Sequence, residues 1–146
     1  MPIKCEIISQ DSIVFQGEAD IVVLPGIDGV MGILPNHAPI LSVLGYGVIS
    51  VRQAERENLF TVSGGIVEVQ PDQVTVLADA AENVEEIDFR RAQEAKNRAE
   101  SLLESGVKED VDQYRSILAA LRRSQLRLYA AKRYRQKSGA RKKTSK

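Results

Sequence analysis

The residues with the most evident chemistry lie at the basic end of the chain. From Gln113 to Lys146 there are 12 Lys/Arg and no Asp/Glu. Guanidinium and ammonium groups at this density favour a polyanion or an acidic protein surface. Two single residues also invite a chemical reading. His37 is the only histidine, inside LPGIDGVMGILPNHAPIL at residues 24–41, and Cys5 is the only cysteine. His37 has no nucleophile or second ligand at a recognisable spacing, and Cys5 has no partner for an internal disulfide. No Cys/His cluster has metal-ligand spacing, so neither a catalytic nor a metal site is expected. Gly26, Gly29 and Gly32 recur every third residue, whereas a Gly-x-Gly-x-x-Gly phosphate loop has another spacing and a helix behind it. The loop reads as scaffold first and partner surface second. Its glycines permit turns, Pro35 and Pro39 hold an extended path around His37, and Val30, Met31 and Ile33 are offered to a partner.

These residues sit on two differently charged halves. Residues 1–84 carry 3 Lys/Arg and 11 Asp/Glu, a formal −8, and residues 85–146 carry 17 and 9, a formal +8. The chain of 146 residues is 43 % hydrophobic, enough for one large or two small domains with buried cores. No apolar run approaches a membrane span, and the start MPIKCEIISQ lacks a signal-peptide core, so a soluble chain that is not exported is expected.

Between residues 3 and 80 apolar residues recur every second position: Cys5 and Ile7, Ile21 and Val23, Phe60 and Val62, Val74 and Val76. Val48 and Val51 show a slip in that phase. Alternation in short runs between Gly, Pro, Asn and Asp turns predicts an antiparallel sandwich or barrel of eight to ten strands. SGGIVEVQPDQVTVLAD predicts one hairpin, started by Gly64 and Gly65 and turned at Pro71-Asp72.

After Val84 the period changes. Ala92, Ala95, Ala99, Leu102 and Leu103 mark a narrow stripe on a helix over 88–105, capped by Asp88 and ended by Gly106. Val111, Tyr114, Leu118, Leu121, Gln125 and Leu128 mark a second helix from near Asp110 to about Lys137, with Asp110 and Gln113 resembling a capping box. The short SGVKED connection makes the two an antiparallel hairpin. Alanine offers little apolar area, so the hairpin's apolar contribution is a few kcal/mol at most, at about 0.8 kcal/mol per buried CH2. Such an element can open, and its charge suits re-docking on an acidic target.

Taken together, LPGIDGVMGILPNHAPIL, FTVSGGIVEVQPDQVTVLAD and IDFRRAQEAKNRAESLL resemble the epsilon subunits of F-type, proton-translocating ATP synthases, over residues 1 to about 137. The resemblance implies an α+β chain, mostly β and then α. An antiparallel β-sandwich of about ten strands would occupy 1–84, a two-helix hairpin 85–138, and a flexible basic tail 139–146. It implies a non-catalytic subunit of the central rotor stalk, on the cytoplasmic side of a bacterial plasma membrane, that reaches the membrane only through the complex. Its partners would be gamma, the c-ring, and the beta and alpha subunits of the catalytic head. Val30, Met31, Ile33 and His37 would then face gamma and the c-ring. The hairpin would inhibit ATP hydrolysis, with Arg122, Arg123, Arg127, Lys132, Arg133 and Arg135 on an acidic segment of beta.

ATP-binding bacterial relatives share an Ile/Leu-Asp-x-x-Arg-Ala motif, matched here by Ile87, Asp88, Arg91 and Ala92. The resemblance adds Arg98, Arg123 and Arg127, with ATP as a regulatory ligand and no required cofactor. Arg91 and Arg98 share one flank of the alanine stripe, where guanidinium groups can fork onto phosphate oxygens. Asp88 as an N-cap and Glu94 with Arg98 as an ordinary ion pair are compatible with that role. Arg123 and Arg127 point away from the Leu118 stripe. A site of four arginines therefore needs a second face on the helix, of Ala119, Leu126 and Ala130, packed on the first helix while the Leu118 side rests on the sandwich. An enzyme is not expected. A nucleic-acid-binding module using the basic helix is the alternative, against which stand the acidic first half and the lack of an RNA-binding aromatic motif.

Overall fold

The computed structural model describes residues 1–106 and 110–144, with side chains to residue 133. It forms two compact units that divide between Asn83 and Val84. The first contains β1 (Ile3–Ile8), β2 (Ile13–Ala19), β3 (Ile21–Gly26), β4 (Gly29–Ile33), β5 (Ile40–Gln53), β6 (Arg56–Val69), β7 (Gln73–Ala78) and β8 (Ala81–Asn83). The strand order is β2-β1-β7-β6-β5-β3-β4, with β8 on β6. The pairings are antiparallel except that between β1 and β7.

Hydrogen bonding thus makes one sheet, and the sheet folds into a sandwich because β5 and β6 belong to both layers. They pair along their length, from Ile40↔Val69 to Gln53↔Arg56. One end of this ribbon carries β7 on Gly65–Val69, and β1 and β2 follow. The other end carries β3 and β4 beyond Ile21↔Arg52, and β8 on Phe60–Val62. Between the ends lie Gly45, Gly47, Gly64 and Gly65, where the ribbon can bend. Ile3, Cys5, Ile7, Val67 and Val76 from one layer meet Val22, Leu24, Ile49, Val51 and Val62 from the other in one core. The Phe15 ring on β2 lies 5.3 Å from the Phe60 ring on β6, tilted by 54°. This is a favourable aromatic geometry.

The sandwich has eight strands, not about ten. The phase slip at Val48 and Val51 looks like a strand end, yet it lies within a continuous 14-residue strand. Gly65 sits at φ +136°, and a Cβ there would strike the Leu77 carbonyl oxygen on β7. Its neighbour Gly64 has φ +85°. The close approach of two backbones, in a conformation that L-residues avoid, requires glycine.

The second unit begins with a one-turn 3-10 helix, Val84–Glu86, followed by α1 (Phe89–Glu104) and α2 (Val111–Thr144). Asp88 caps α1, its Oδ1 accepting the Arg91 N–H at 3.1 Å. Asp110 caps α2, its Oδ1 accepting the N–H groups of Asp112 at 3.1 Å and Gln113 at 3.2 Å. After the C-cap Ser105, Gly106 takes φ +88° and turns the chain out of α1. The α2 backbone continues past the expected end near Lys137. No proline interrupts it.

The two helices pack on each other. Ala92 and Ala99 of α1 are buried, as the alanine stripe predicts, while Leu102 is exposed. On α2 the expected stripe is displaced by one residue. Ile117, Ser124 and Ala131 are buried, whereas Val111, Tyr114 and Leu118 are exposed. Ser124 is missed by an apolar count, but its hydroxyl donates to the Ala120 carbonyl at 2.6 Å, which removes the cost of burying it. At 100° per residue, Ala119, Leu126 and Ala130 lie on the side of α2 opposite Ile117. Ala130 is buried and the other two are half-buried, so α2 has two covered faces.

Two outcomes follow. Gly65→Ala lowers the unfolding free energy of the full chain by about 2 kcal/mol or more in urea titrations, whereas an unchanged midpoint would show that the ribbon tolerates a side chain there. Burial pushes the Cys5 thiol from its ordinary 9.0 up to about 12. The folded state therefore keeps the proton, and this contribution to stability is full below about pH 9 and falls as pH rises toward 12. Thiol alkylation at neutral pH is expected only after denaturation, and rapid labelling of the native chain would contradict the burial.

Candidate functional site

Two surfaces carry the candidate residues, one on each unit. On the sandwich, β3 and β4 form a hairpin in register Gly26↔Gly29, Pro25↔Val30 and Val22↔Ile33, turning at Ile27 and Asp28. Val30 is 77 % exposed and Ile27 is also open to solvent. Met31 is half-buried. Ile33, expected at the surface, is 1 % exposed and part of the core. Strand alternation explains the correction: Ile33 points inward with its partner Val22, and apolar residues in a glycine-rich run do not all face one way.

Beyond β4 the loop is anchored rather than open. Asn36 has φ +66° and its N–H donates to the Pro71 carbonyl at 2.8 Å, tying the loop to the β6–β7 turn. Half-buried His37 donates its N–H to the Leu34 carbonyl at 3.2 Å. Its Nδ1 lies 2.8 Å from the Ala38 carbonyl oxygen, a contact that places a proton on Nδ1. Among the described residues no group of three or more His, Cys, Asp or Glu is placed to hold a metal ion. The histidine is a loop brace.

A larger feature escapes the sequence pattern. Cross-strand pairs align Val43, Ile66, Leu77, Ile8 and Ile13 across β5, β6, β7, β1 and β2. Four of them are exposed and Ile8 is half-buried. Each points away from the core, so the outer face of this layer carries an apolar row. The backbone N–H of Ile27 donates to the Val43 carbonyl at 3.0 Å, which joins the β3–β4 turn to the end of the row. A contiguous apolar strip of this kind marks an interaction surface. The signal in the sequence was the unbroken apolar character of PILSVL, GGIV and VTVL, which a strand wet on one face lacks.

On the helical unit, Arg91, Arg98, Arg122 and Arg123 are exposed and Arg127 is half-buried. Lys132 and Arg133 are exposed, and the Arg135 side chain lies outside the described residues. Ile87 and Ala92 of the motif are buried. They shape the start of α1, and Asp88 and the arginines supply the polar groups of the set at the surface. Glu94 pairs with Arg90 at 3.4 Å, not with Arg98. Glu94, Asn97, Arg98, Ser101 and Leu102 line a shallow depression along α1. Arg91 and Arg98 are two turns apart, roughly 10 Å along the axis, so a chain of phosphates can span them and a single phosphate cannot. The Asp88 carboxylate, already committed to the helix cap, can accept a further donor on its other oxygen.

Comparison with known proteins accounts for both units. Residues 2–84 match the ATP synthase, Delta/Epsilon chain, beta-sandwich domain, and residues 85–132 match the long alpha-helix domain of the same chain. The chain is 44 % identical over 139 residues to an ATP synthase epsilon chain of Dehalococcoides mccartyi, covering 91 % of this chain and 94 % of that one. It is 46 % identical over 130 residues to the epsilon chain of Moorella thermoacetica, covering 88 % and 96 %. A chain of the Euglena gracilis mitochondrial ATP synthase OSCP/F1/c-ring assembly has a similar fold, with TM-score 0.69 and 22 % identity over 83 % of this chain and 76 % of that one. With the sandwich and the helix pair both matched in order, the chain belongs to the ATP synthase delta/epsilon family of non-catalytic subunits, alongside the bacterial epsilon chains.

Proposed function

We propose that this protein is the epsilon subunit of a bacterial ATP synthase central stalk, at the cytoplasmic face of the plasma membrane. Its sandwich couples proton-driven rotation to ATP synthesis, and its helix pair restrains ATP hydrolysis. The apolar row from Val43 to Ile13, with Val30, Met31 and His37 near the β3–β4 hairpin, is the surface for gamma and the c-ring. Burial of such a row against a partner is favourable by about 25 cal/mol per Å2 of apolar area. The solved relatives from Euglena and Tetrahymena belong to assemblies that contain a c-ring, which supports this placement.

The observation that carries the inhibitory reading is the pairing of charge with weak packing. Of the buried residues in the described part of the two helices, Ala92, Ala99, Ser124, Ala130 and Ala131 are small and only Ile117 is large, and all 12 Lys/Arg of the chain after residue 112 belong to its C-terminal part. A helix pair of this kind separates at low cost. Once released, Arg122, Arg123, Arg127, Lys132, Arg133 and Arg135 form charge-assisted pairs with an acidic segment of beta. ATP held by Asp88, Arg91, Arg98, Arg123 and Arg127 stabilises the closed pair by RT ln(1 + [L]/Kd), about 2.7 kcal/mol at a hundredfold excess over Kd. Plentiful ATP therefore keeps the brake off.

The test is ATP hydrolysis by a catalytic core lacking this subunit, to which the full chain or a fragment ending at Asn83 is added. Inhibition by the full chain alone, relieved as ATP rises, is expected. Binding of both without inhibition would reduce the protein to a rotor connector, and failure of both to bind would overturn the placement. Arg91→Ala is expected to weaken ATP binding about tenfold or more, read as a smaller ATP-induced rise in the melting temperature of the helix pair. An unchanged rise would move the nucleotide elsewhere.

A further inference from the structure

The most regular apolar line on α2 is not the line that is buried. Val111, Tyr114, Leu118, Leu121, Gln125 and Leu128 step by three and four residues in strict alternation, a 3.5-residue repeat. Ile117, Ser124 and Ala131, each seven residues from the next, form a buried row along one flank of it. The line itself stays largely open. Val111 is 59 %, Leu118 39 % and Tyr114 37 % exposed, Gln125 is exposed, and Leu121 and Leu128 are half-buried. We infer that this line is a coiled-coil seam that docks an amphipathic helix of another protein chain, one carrying Asp or Glu beside its own apolar line, with Gln125 fixing the register.

The period selects the class of partner. On a straight helix a seven-residue repeat drifts by about 20° per heptad, and a second helix winding around the first follows that drift. A flat bilayer surface does not follow it, and Gln125 in the middle of the line is out of place among acyl chains. In a coiled coil, a single polar residue at such a position sets the alignment of the two helices, at a cost in stability that a polar group across the seam reduces. Charge then selects among helices. Arg115 and Arg122 are exposed along the flank opposite the buried row, and from Gln113 to Arg133 the helix carries six Lys/Arg and no Asp/Glu. A second copy of this chain brings the same charge and is repelled, whereas carboxylates on the partner pair with these guanidinium groups across the rim of the seam. The seam is open while α1 and α2 are packed together, so docking requires neither release of the pair nor ATP, and it stands or falls apart from the inhibitory reading above.

The experiment titrates the full chain into fluorescently labelled synthetic peptides of about 21 residues, each of three heptads with Leu at every d position. One has Glu at e and g and Ile at every a position, a second differs from it by one central Asn at a, and a third is the second with Lys in place of Glu. The full chain is expected to bind the Asn-bearing Glu peptide about tenfold more tightly than its Lys counterpart, and more tightly than the Glu peptide with Ile throughout, with affinity falling as salt rises. Leu118→Glu is expected to weaken that binding about tenfold or more, Tyr114→Ser to weaken it in the same direction, and Gln125→Leu to reverse the preference between the two Glu peptides. Melting temperatures matching the full chain establish that the variants fold. Absence of binding, equal affinity for the Glu and Lys peptides, or a preference that Gln125→Leu leaves unchanged overturns the inference. Self-association of the full chain in sedimentation velocity, lost in Leu118→Glu, overturns it in favour of a second copy. Retention on phosphatidylglycerol vesicles that Leu118→Glu abolishes overturns it in favour of a membrane surface.

Discussion

The sandwich depends on one ribbon. Because β5 and β6 are 14 residues each and paired end to end, the two layers are covalently and cooperatively one sheet. The fold over the middle of that sheet is possible only where side chains are absent. At Gly65 the backbone of β6 lies so close to the Leu77 carbonyl that a methyl group has no room. The bend brings Phe60 and Phe15 together and turns the inward positions of all the long strands to a common core. It also sets which residues face out, and so aligns Val43, Ile66 and Leu77 on a single exposed row.

The helical unit obeys the opposite economy. Its helix starts are well made: Asp88 and Asp110 satisfy backbone donors that would otherwise be left open. Apart from Ile117, the buried residues among the described part of the two helices are alanines and a self-satisfied serine, which bury little area. In the brake proposed above, this capping would keep α1 and α2 helical on separation, so that the pair changes position without refolding.

Much of this was legible in the residues. Alternation revealed the strands, the change of period at Val84 located the junction, and Asp88, Asp110 and Gly106 announced helix ends by known chemistry. The misses have physical causes. A bent strand and two separate strands give the same broken alternation, so β5 and β6 were overcounted. Ile33 and Val30 differ by an odd number of positions on one strand and hence lie on opposite faces, a distinction hidden by the glycine-rich run. Ser124 is buried at no polar cost because its hydroxyl has an intrahelical acceptor, which hydropathy does not register. The apolar row is a property of register across five strands and has no local signature. The burial of Ile87 and Ala92 needed coordinates.

The central claim is that the helix pair is held far more weakly than the sandwich and that ATP tightens it. Amide hydrogen exchange of the full chain, with and without ATP, measures this residue by residue. The account predicts that amides in the middle of α1 and α2 exchange orders of magnitude faster than those of β5 and β6, and that ATP slows the helices while leaving the sheet unchanged. Equal protection of helices and sheet, unaffected by ATP, would contradict it.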